Sequence, residues 1–182
     1  MLPLPIPIHH PALSGLHLRR LQPQDAGAWR AIVTRPQVGR MLFSFPVDWR
    51  LEQAQALVAE LAPRNTPPFR LAIDTGNGAM IGTVGFAQGK TSEIAYFLDP
   101  ECQGQGIMRP CLAGLIDLIF ARFTLPRLRA DVYHDNPASM ALLHRLGFVQ
   151  TGSYIGTCSA QRCNAEKIYI FEVHRSAWRQ EK

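Results

Sequence analysis

The stretch DPECQGQGIMRPCLAGLIDLIF, residues 99–120, places two glycines one residue apart just ahead of a long apolar helix. A helix that begins near Gly106 leaves its first amide groups without intrahelical partners. With the helix dipole, those amides make a site for an anion. Gly104 and Gly106 lack the Cβ atoms that would hold a phosphate away from the backbone. Pro110, in the first turn, gives up no N–H that the helix needs. The neighbouring residues exclude two phosphate signatures. A P-loop needs Gly-Lys-Ser/Thr where Ile107 and Met108 follow Gly106, and a dinucleotide fingerprint needs a third glycine where Arg109 stands. Read alone, the glycines leave open a tight strand-to-helix turn with no ligand.

Upstream of this junction, FRLAID (69–74) and AMIGTVGFAQ (79–88) alternate as strands around the turn TGNG, a hairpin signal. TSEIAYFLD (91–99) is a third strand. Earlier, LHLRRL (16–21) alternates like a short strand, and residues 22–42 read as helix broken near Pro36 and Gly39. Asp48 is the expected N-cap of a helix running to about Leu61. Downstream, a helix from about Gly106 to Arg122 precedes the strand RLRADVYH (127–134). NPASMALLHRLGF (136–148) is a helix with Asn136 as N-cap, Pro137 at its first position and Gly147 as its stop. VQTGSYIGTC and AEKIYIFEV close the chain as two strands. This order predicts a mixed α/β sandwich with one crossover, not a doubly wound dinucleotide fold.

The chain of 182 residues is long enough for one domain with its own core. Residues 14–182 are assigned to it. Residues 1–13, with four prolines and no basic leader region, are read as an extended arm. An apolar fraction of 47% and a charged fraction of 18% are ordinary for a soluble protein. No apolar run approaches the ~20 residues of a membrane span, so no membrane partner is expected. The net charge of +5 is carried almost wholly by scattered arginines, the densest group being Arg175–Lys182. That pattern fits a solvated surface rather than a nucleic-acid face, while favouring an anionic cofactor or acidic acceptor. Cys102, Cys111, Cys158 and Cys163 form no CxxC pair and meet no histidines at zinc spacing. They are expected to be reduced thiols in the cytoplasm, and no metal is expected.

PECQGQGIM after SEIAYFL, with DNPASMALLHRLGFVQTGSY one strand later, resembles the GNAT acetyltransferase superfamily. The resemblance is greatest to its ribosomal-protein N-terminal acetyltransferase (RimJ/RimL-like) branch, and it spans roughly residues 14–174. It implies an α/β (α+β) fold, with a mostly antiparallel sheet flanked by helices and central strands that splay apart. QGQGIM matches the family's acyl-CoA pyrophosphate loop, and N-x-x-S…L-G-F-x-x-x-G its second cofactor segment. One departure is Glu101, where the family often has Arg or Gln; an acid beside a pyrophosphate is unhelpful unless it points to solvent.

The resemblance implies that acetyl-CoA binds where the third strand and the strand 127–134 part. Backbone groups near Phe97 and Leu98 would hold the pantetheine and meet the developing oxyanion. Amides of Gln103, Gly104, Gln105, Gly106, Ile107 and Met108 would take the pyrophosphate. Asn136 would hydrogen-bond the pantetheine arm, competing with its role as a cap. Glu93 is the candidate base, through a water. Many relatives place an acidic tyrosine seven residues after the asparagine, where this chain has Leu143. Ser139 is then the candidate donor to the departing sulfur, stabilising a thiolate more than protonating it. The resemblance also implies a bulge in the strand that carries Tyr96.

The expected activity is transfer of an acetyl group from acetyl-CoA to a primary amine. A protein or peptide N-terminus is favoured, because an α-amine loses its proton at ~7.7–8.0 against ~10.4 for lysine. The acceptor wall is assigned to RPQVGRMLFSFPVDW (35–49), whose apolar Phe43, Phe45 and Trp49 suit a peptide or an apolar amine better than a polycation. Alternatives are a small amine such as a polyamine or aminoglycoside, a succinyl donor read by Arg35 and Arg40, or a non-catalytic acyl-CoA sensor. The chain is compatible with a monomer or with a homodimer joined through a C-terminal edge strand.

Overall fold

A computed structural model describes residues 2–62, 64–156 and 160–178. Eight strands form one sheet in the order β1-β2-β3-β4-β5-β6-β8-β7. They are β1 (Ile6–Pro7), β2 (His17–Arg20), β3 (Phe69–Asp74), β4 (Met80–Gln88), β5 (Ser92–Leu98), β6 (Arg127–Tyr133), β7 (Val149–Gly156) and β8 (Glu166–His174). The helices are α1 (Asp25–Val33), α2 (Pro36–Gly39), α3 (Leu51–Leu61), α4 (Met108–Arg122) and α5 (Pro137–Arg145). Every strand pair is antiparallel except β5 with β6, which is parallel and registers only at Glu93 opposite Arg129. Beyond that contact the two central strands separate.

β5 pairs with β4 in unbroken register from Gln88 opposite Ser92 to Gly82 opposite Leu98. This corrects the expected bulge. In a regular strand successive side chains alternate between faces. Ile94, Tyr96 and Leu98 accordingly pack toward the core that holds Leu112, Leu115, Leu143 and Phe148 of the α4–α5 side. Phe97 packs on the other side with Trp29, Phe45, Trp49 and Val58, under α1 and α3. Each helical layer therefore meets β5 with a different set of side chains.

The TGNG turn closes the β3–β4 hairpin as the sequence suggests. Asp74 Oδ1 accepts the amides of Gly76 and Gly78 at 2.8 and 3.1 Å. The other oxygen accepts Arg19 Nε at 2.7 Å, and both Arg19 Nη atoms bond Asp25 at 2.8 and 2.9 Å. One buried arginine thus ties β2, the hairpin and the start of α1 together.

Three local expectations are corrected. Asp48 does not cap α3; the helix begins after Arg50, whose amide donates to Gln53 Oε1 at 2.8 Å. α4 begins at Met108 rather than Gly106, because Gly106 lies at φ +79, outside the helical region. The arm does more than lie on the surface: Ile6–Pro7 add a strand to β2, and Leu2 and Ile8 are buried in the α4-side core. Cys102, Cys111 and Cys163 are free thiols; Cys158 lies outside the described residues. β7 forms one edge of the sheet.

Candidate active site

Where β5 and β6 part, a cavity of about 1620 Å³ opens between the layers. Glu93, Phe97, Leu98, Gln103, Gly104, Gln105, Gly106, Ile107, Met108, Asn136 and Ser139 all line it. The residues singled out from sequence are therefore brought into one place by a break in the sheet.

The floor of one end is built by the turn that follows β5. Asp99 Oδ1 accepts the Glu101 amide at 3.0 Å, and the Cys102 amide donates to the Asp99 carbonyl. Gln103 belongs to this scaffold, which corrects the role assigned to its amide. That amide donates to the Pro100 carbonyl at 3.2 Å, and Nε2 donates to the Leu98 carbonyl at 3.0 Å. Gly104 and Gly106 then adopt φ of +73 and +79, which turn the backbone back on itself. Among the described residues, the amides of Gly104, Gln105, Gly106, Ile107 and Met108 meet no acceptor within the protein. Five successive donors at the start of a fifteen-residue helix make an anion site.

Glu101 does not oppose this. Its side chain is 81% exposed and turns to Arg35 Nη1 at 3.5 Å, while Arg35 also bonds Asp99 Oδ1 at 2.9 Å. Arg40 pairs with Asp135, and Arg162 Nη2 bonds the same carboxylate at 2.7 Å. The Arg162 and Arg40 guanidinium groups hold the Asp135 carboxyl below its ordinary value. Arg35 and Arg40, the two cations that raised the succinyl alternative, thus already have carboxylate partners.

A contact from the arm was missed in the sequence. His10 Nδ1 accepts the Ala12 amide at 3.2 Å, so the ring proton sits on Nε2, which donates to the Gln105 carbonyl at 2.9 Å. The signal available was only a pair of histidines between prolines.

On the α4–α5 side, Ser139 Oγ stands 2.7 Å from Tyr96 Oη. Burial pushes the Tyr96 phenol up to about 12, partly offset by the Ser139 bond. Asn136 Oδ1 accepts the Ser139 amide at 3.1 Å. The cap thus uses one end of the Asn136 amide and leaves the Nδ2 end for a ligand. Leu143 is fully buried in the core, as its side chain requires. β5 presents the Tyr96 hydroxyl to the same first turn of α5. Strand alternation would have revealed Tyr96, had the strand been taken as regular.

Glu93 faces the other layer, at the one position where β5 registers with β6. Thr91 Oγ1 donates to its Oε1. Arg129, its neighbour across the seam, is held by Asp131 through bonds of 2.6 and 2.7 Å. Tyr154 donates to the same Asp131 at 2.8 Å and lines the cavity. Met41, Leu42, Phe43, Ser44 and Phe45 form the wall assigned to the acceptor. Phe43 is 43% exposed and stacks on Tyr133 with ring centroids 4.7 Å apart. Trp49 is corrected: it packs in the core against Phe45 and Trp29, with no share in the cavity.

The profile of the acetyltransferase (GNAT) domain family matches residues 15–149. The uncharacterized N-acetyltransferase YoaA of Bacillus subtilis is 28% identical over 144 residues, 75% of this chain and 81% of that protein. The ribosomal-protein-serine acetyltransferase of Escherichia coli is 36% identical over 77 residues, 40% of this chain and 43% of that one. The spermidine N-acetyltransferase of Vibrio cholerae, solved with CoA and spermine, shares the fold at a TM-score of 0.78. Its identity is 19%, with 91% of this chain and 98% of that chain covered.

Proposed function

The chain belongs to the GNAT acetyltransferase family, and from that membership we propose that it acetylates the α-amine of a protein or peptide N-terminus, using acetyl-CoA. The observation that carries this reading is the row of unpartnered amides from Gly104 to Met108. It borders the same cavity that holds Glu93 on one face and the Tyr96–Ser139 pair on the other.

In this reading the loop amides take the pyrophosphate of the donor, with the α4 dipole behind them. Asn136 Nδ2 holds the pantetheine arm, and backbone donors near Phe97 and Leu98 meet the carbonyl oxygen as it gains charge. The thioester then lies in the gap between β5 and β6, reached from the α1–α3 side by the acceptor. Glu93 takes the amine proton through a water, the nitrogen attacks the thioester carbon, and the carbon–sulfur bond breaks. Ser139 Oγ donates to the departing thiolate while Tyr96 donates to Ser139. A phenol near 12 is a weaker acid than a thiol near 8.5, so the pair stabilises the thiolate by hydrogen bonding and the sulfur is protonated from solvent.

Several features support a peptide acceptor. Phe43 and Phe45 offer an apolar wall, and an α-amine needs less help than a lysine to become a nucleophile. The ribosomal-protein-serine acetyltransferase carries a protein acceptor in its name. Free thiols at Cys102, Cys111 and Cys163 suit a cytoplasmic setting.

The test is to incubate the protein with acetyl-CoA and panels of N-terminal peptides, polyamines and aminoglycosides, following free thiol and product mass. Peptides acetylated at the α-amine are expected, and Glu93→Gln should move the rise of rate to higher pH. Polyamine turnover without peptide turnover would reassign the acceptor. Tight CoA binding with no turnover on any amine would make the protein a sensor.

A further inference from the structure

Arg70 is on β3, on the face covered by α1 and α3, and it lines the cavity. Across the sheet it registers with Gly85, and Gly85 registers with Ala95. The arginine stem lies over Gly85: a Cβ built there would stand 2.6 Å from Arg70 Cγ. Glycine and alanine in this row keep the floor low enough for the side chain to cross it. Its Nη1 donates to Thr83 Oγ1 at 3.2 Å, and the guanidinium carbon is 5.7 Å from the Trp29 ring centroid.

Arg109 and Arg145, which also line the cavity, are exposed to solvent, and most of the other arginines near it and in the core have carboxylate partners. Arg19 has Asp25 and Asp74, Arg35 has Asp99, Arg40 and Arg162 share Asp135, and Arg129 has Asp131. Among the described residues, no carboxylate stands within ion-pair distance of Arg70. Enclosure without a counter-charge brings its guanidinium down to about 10, leaving it charged at neutral pH. Arg70 is half-buried; a cation drawn partly out of water without a counter-charge is costly, and an anion arriving through the cavity would relieve that cost.

The position says which reactant brings the anion. Ser139 and Tyr96 lie on the α4–α5 side, whereas Arg70 lies on the α1–α3 side with Glu93 and Phe97. Thr83 and Gly85 register with Phe97 and Ala95, and neighbouring strands are about 4.8 Å apart. The guanidinium therefore sits about one strand spacing from the segment of β5 that borders the reaction. We infer that Arg70 binds a carboxylate on the acceptor, a few bonds from the amine, so that the enzyme selects amines bearing an acid over neutral amines and polycations. This rests on the acetyltransferase reading and narrows its acceptor. The carboxylate can belong to the side chain of an acidic first residue or to the α-carboxylate of a free amino acid.

The experiment compares matched acceptors with acetyl-CoA. One pair is a tetrapeptide amide beginning with glutamate and its counterpart beginning with glutamine. The other is leucine and leucinamide. Wild type should favour the acid of at least one pair by roughly 10- to 100-fold in kcat/KM, the span of a hydrogen bond to a charged group. Which pair responds identifies the source of the carboxylate. Arg70→Gln should erase the preference while CoA affinity stays at its wild-type value, which reports an intact fold. Arg70→Lys should keep part of the preference. Equal wild-type rates on acid and amide, or an Arg70→Gln variant slowed equally on both, would overturn the assignment. So would an Arg70-dependent preference for succinyl-CoA over acetyl-CoA with no discrimination among acceptors. Absence of turnover on any amine, with CoA bound, would instead defeat the acetyltransferase reading on which this one stands.

Discussion

Tyr96 and Ser139, 43 positions apart in the chain, share a hydrogen bond of 2.7 Å across the gap between β5 and the first turn of α5. Two facts of local structure make the meeting possible. The β5 register is unbroken, which aims Tyr96 at the α4–α5 side. Asn136 caps α5 by accepting the Ser139 amide, which fixes the first turn that carries the serine. In the proposed mechanism the phenol reinforces the serine as a donor instead of replacing it as an acid.

Removing either hydroxyl should show this dependence. Ser139→Ala is expected to lower kcat by about 100-fold, at the low end for loss of a positioned donor, with CoA affinity changed far less. Tyr96→Phe should cost about 10-fold, the worth of one hydrogen bond that strengthens with developing charge. Because both act through one path, the double variant should be no slower than Ser139→Ala. Steady-state rates with a CoA-binding titration on each variant check this. Additive losses would mean that the two hydroxyls act independently.

The loop glycines make a separate prediction. A Cβ built at Gly104 meets no atom within 4 Å, so bulk within the protein is not what forbids a side chain there. The constraint is the backbone, at φ +73 for Gly104 and +79 for Gly106, where a β-branched residue is strained. Gly106→Val should raise the CoA dissociation constant by at least about 10-fold, through a strain of about 1–2 kcal/mol and displaced amides. Calorimetric titration gives the affinity, and a melting curve shows whether the domain survives. Wild-type CoA affinity would take the loop out of the site.

Much of the fold was legible because its signals are local. TGNG between two alternating runs specifies a hairpin, and Asn136, Pro137 and Gly147 bracket α5 by capping chemistry alone. The glycine loop at 103–108 was legible for the same reason, since bare backbone before an apolar helix is visible within ten residues. Asp48 was misread because the α3 cap comes from inside the helix, from Gln53, and both signals lie in one short window. The Tyr96–Ser139 pair and the isolation of Arg70 were not legible. Each depends on which strand neighbours which, and on the absence of a carboxylate that any of several elements could have supplied. Trp49 was placed in the cavity wall on composition, whereas packing against Trp29 and Phe45 decides its direction.

The arm supports the loop through a contact that can be removed without touching the core. His10→Ala deletes the bond from Nε2 to the Gln105 carbonyl but leaves Leu2 and Ile8 buried. One hydrogen bond contributes about 1 kcal/mol, so CoA affinity should fall about fivefold while the melting temperature barely moves. His10→Gln, which keeps a donor of similar reach, should recover part of the loss. Unaltered affinity in His10→Ala would show that the loop holds its shape without the arm.

The buried Arg19 network sets the response of the fold to acid. Burial alone would raise the Asp74 carboxyl, but the Arg19 guanidinium and the amides of Gly76 and Gly78 outweigh it and hold it below its ordinary value. A carboxyl whose folded value is depressed lends stability that is complete above its unfolded value near 3.9 and is lost as pH falls through the folded value. Arg19→Met removes the partner of both Asp25 and Asp74 while keeping an apolar stem. It should cost about 3–5 kcal/mol at pH 7, since two carboxylates are left buried without a cation. For Asp74 in that variant, desolvation then works mainly against the amides of Gly76 and Gly78, and protonation relieves the strain of a buried charge. The deficit should therefore narrow as pH drops toward 3.5, where wild type is losing the contribution that the variant never had. Urea unfolding at pH 7 and pH 3.5 measures both differences. A deficit of equal size at the two pH values would mean that Arg19 stabilises the fold by packing and not by charge.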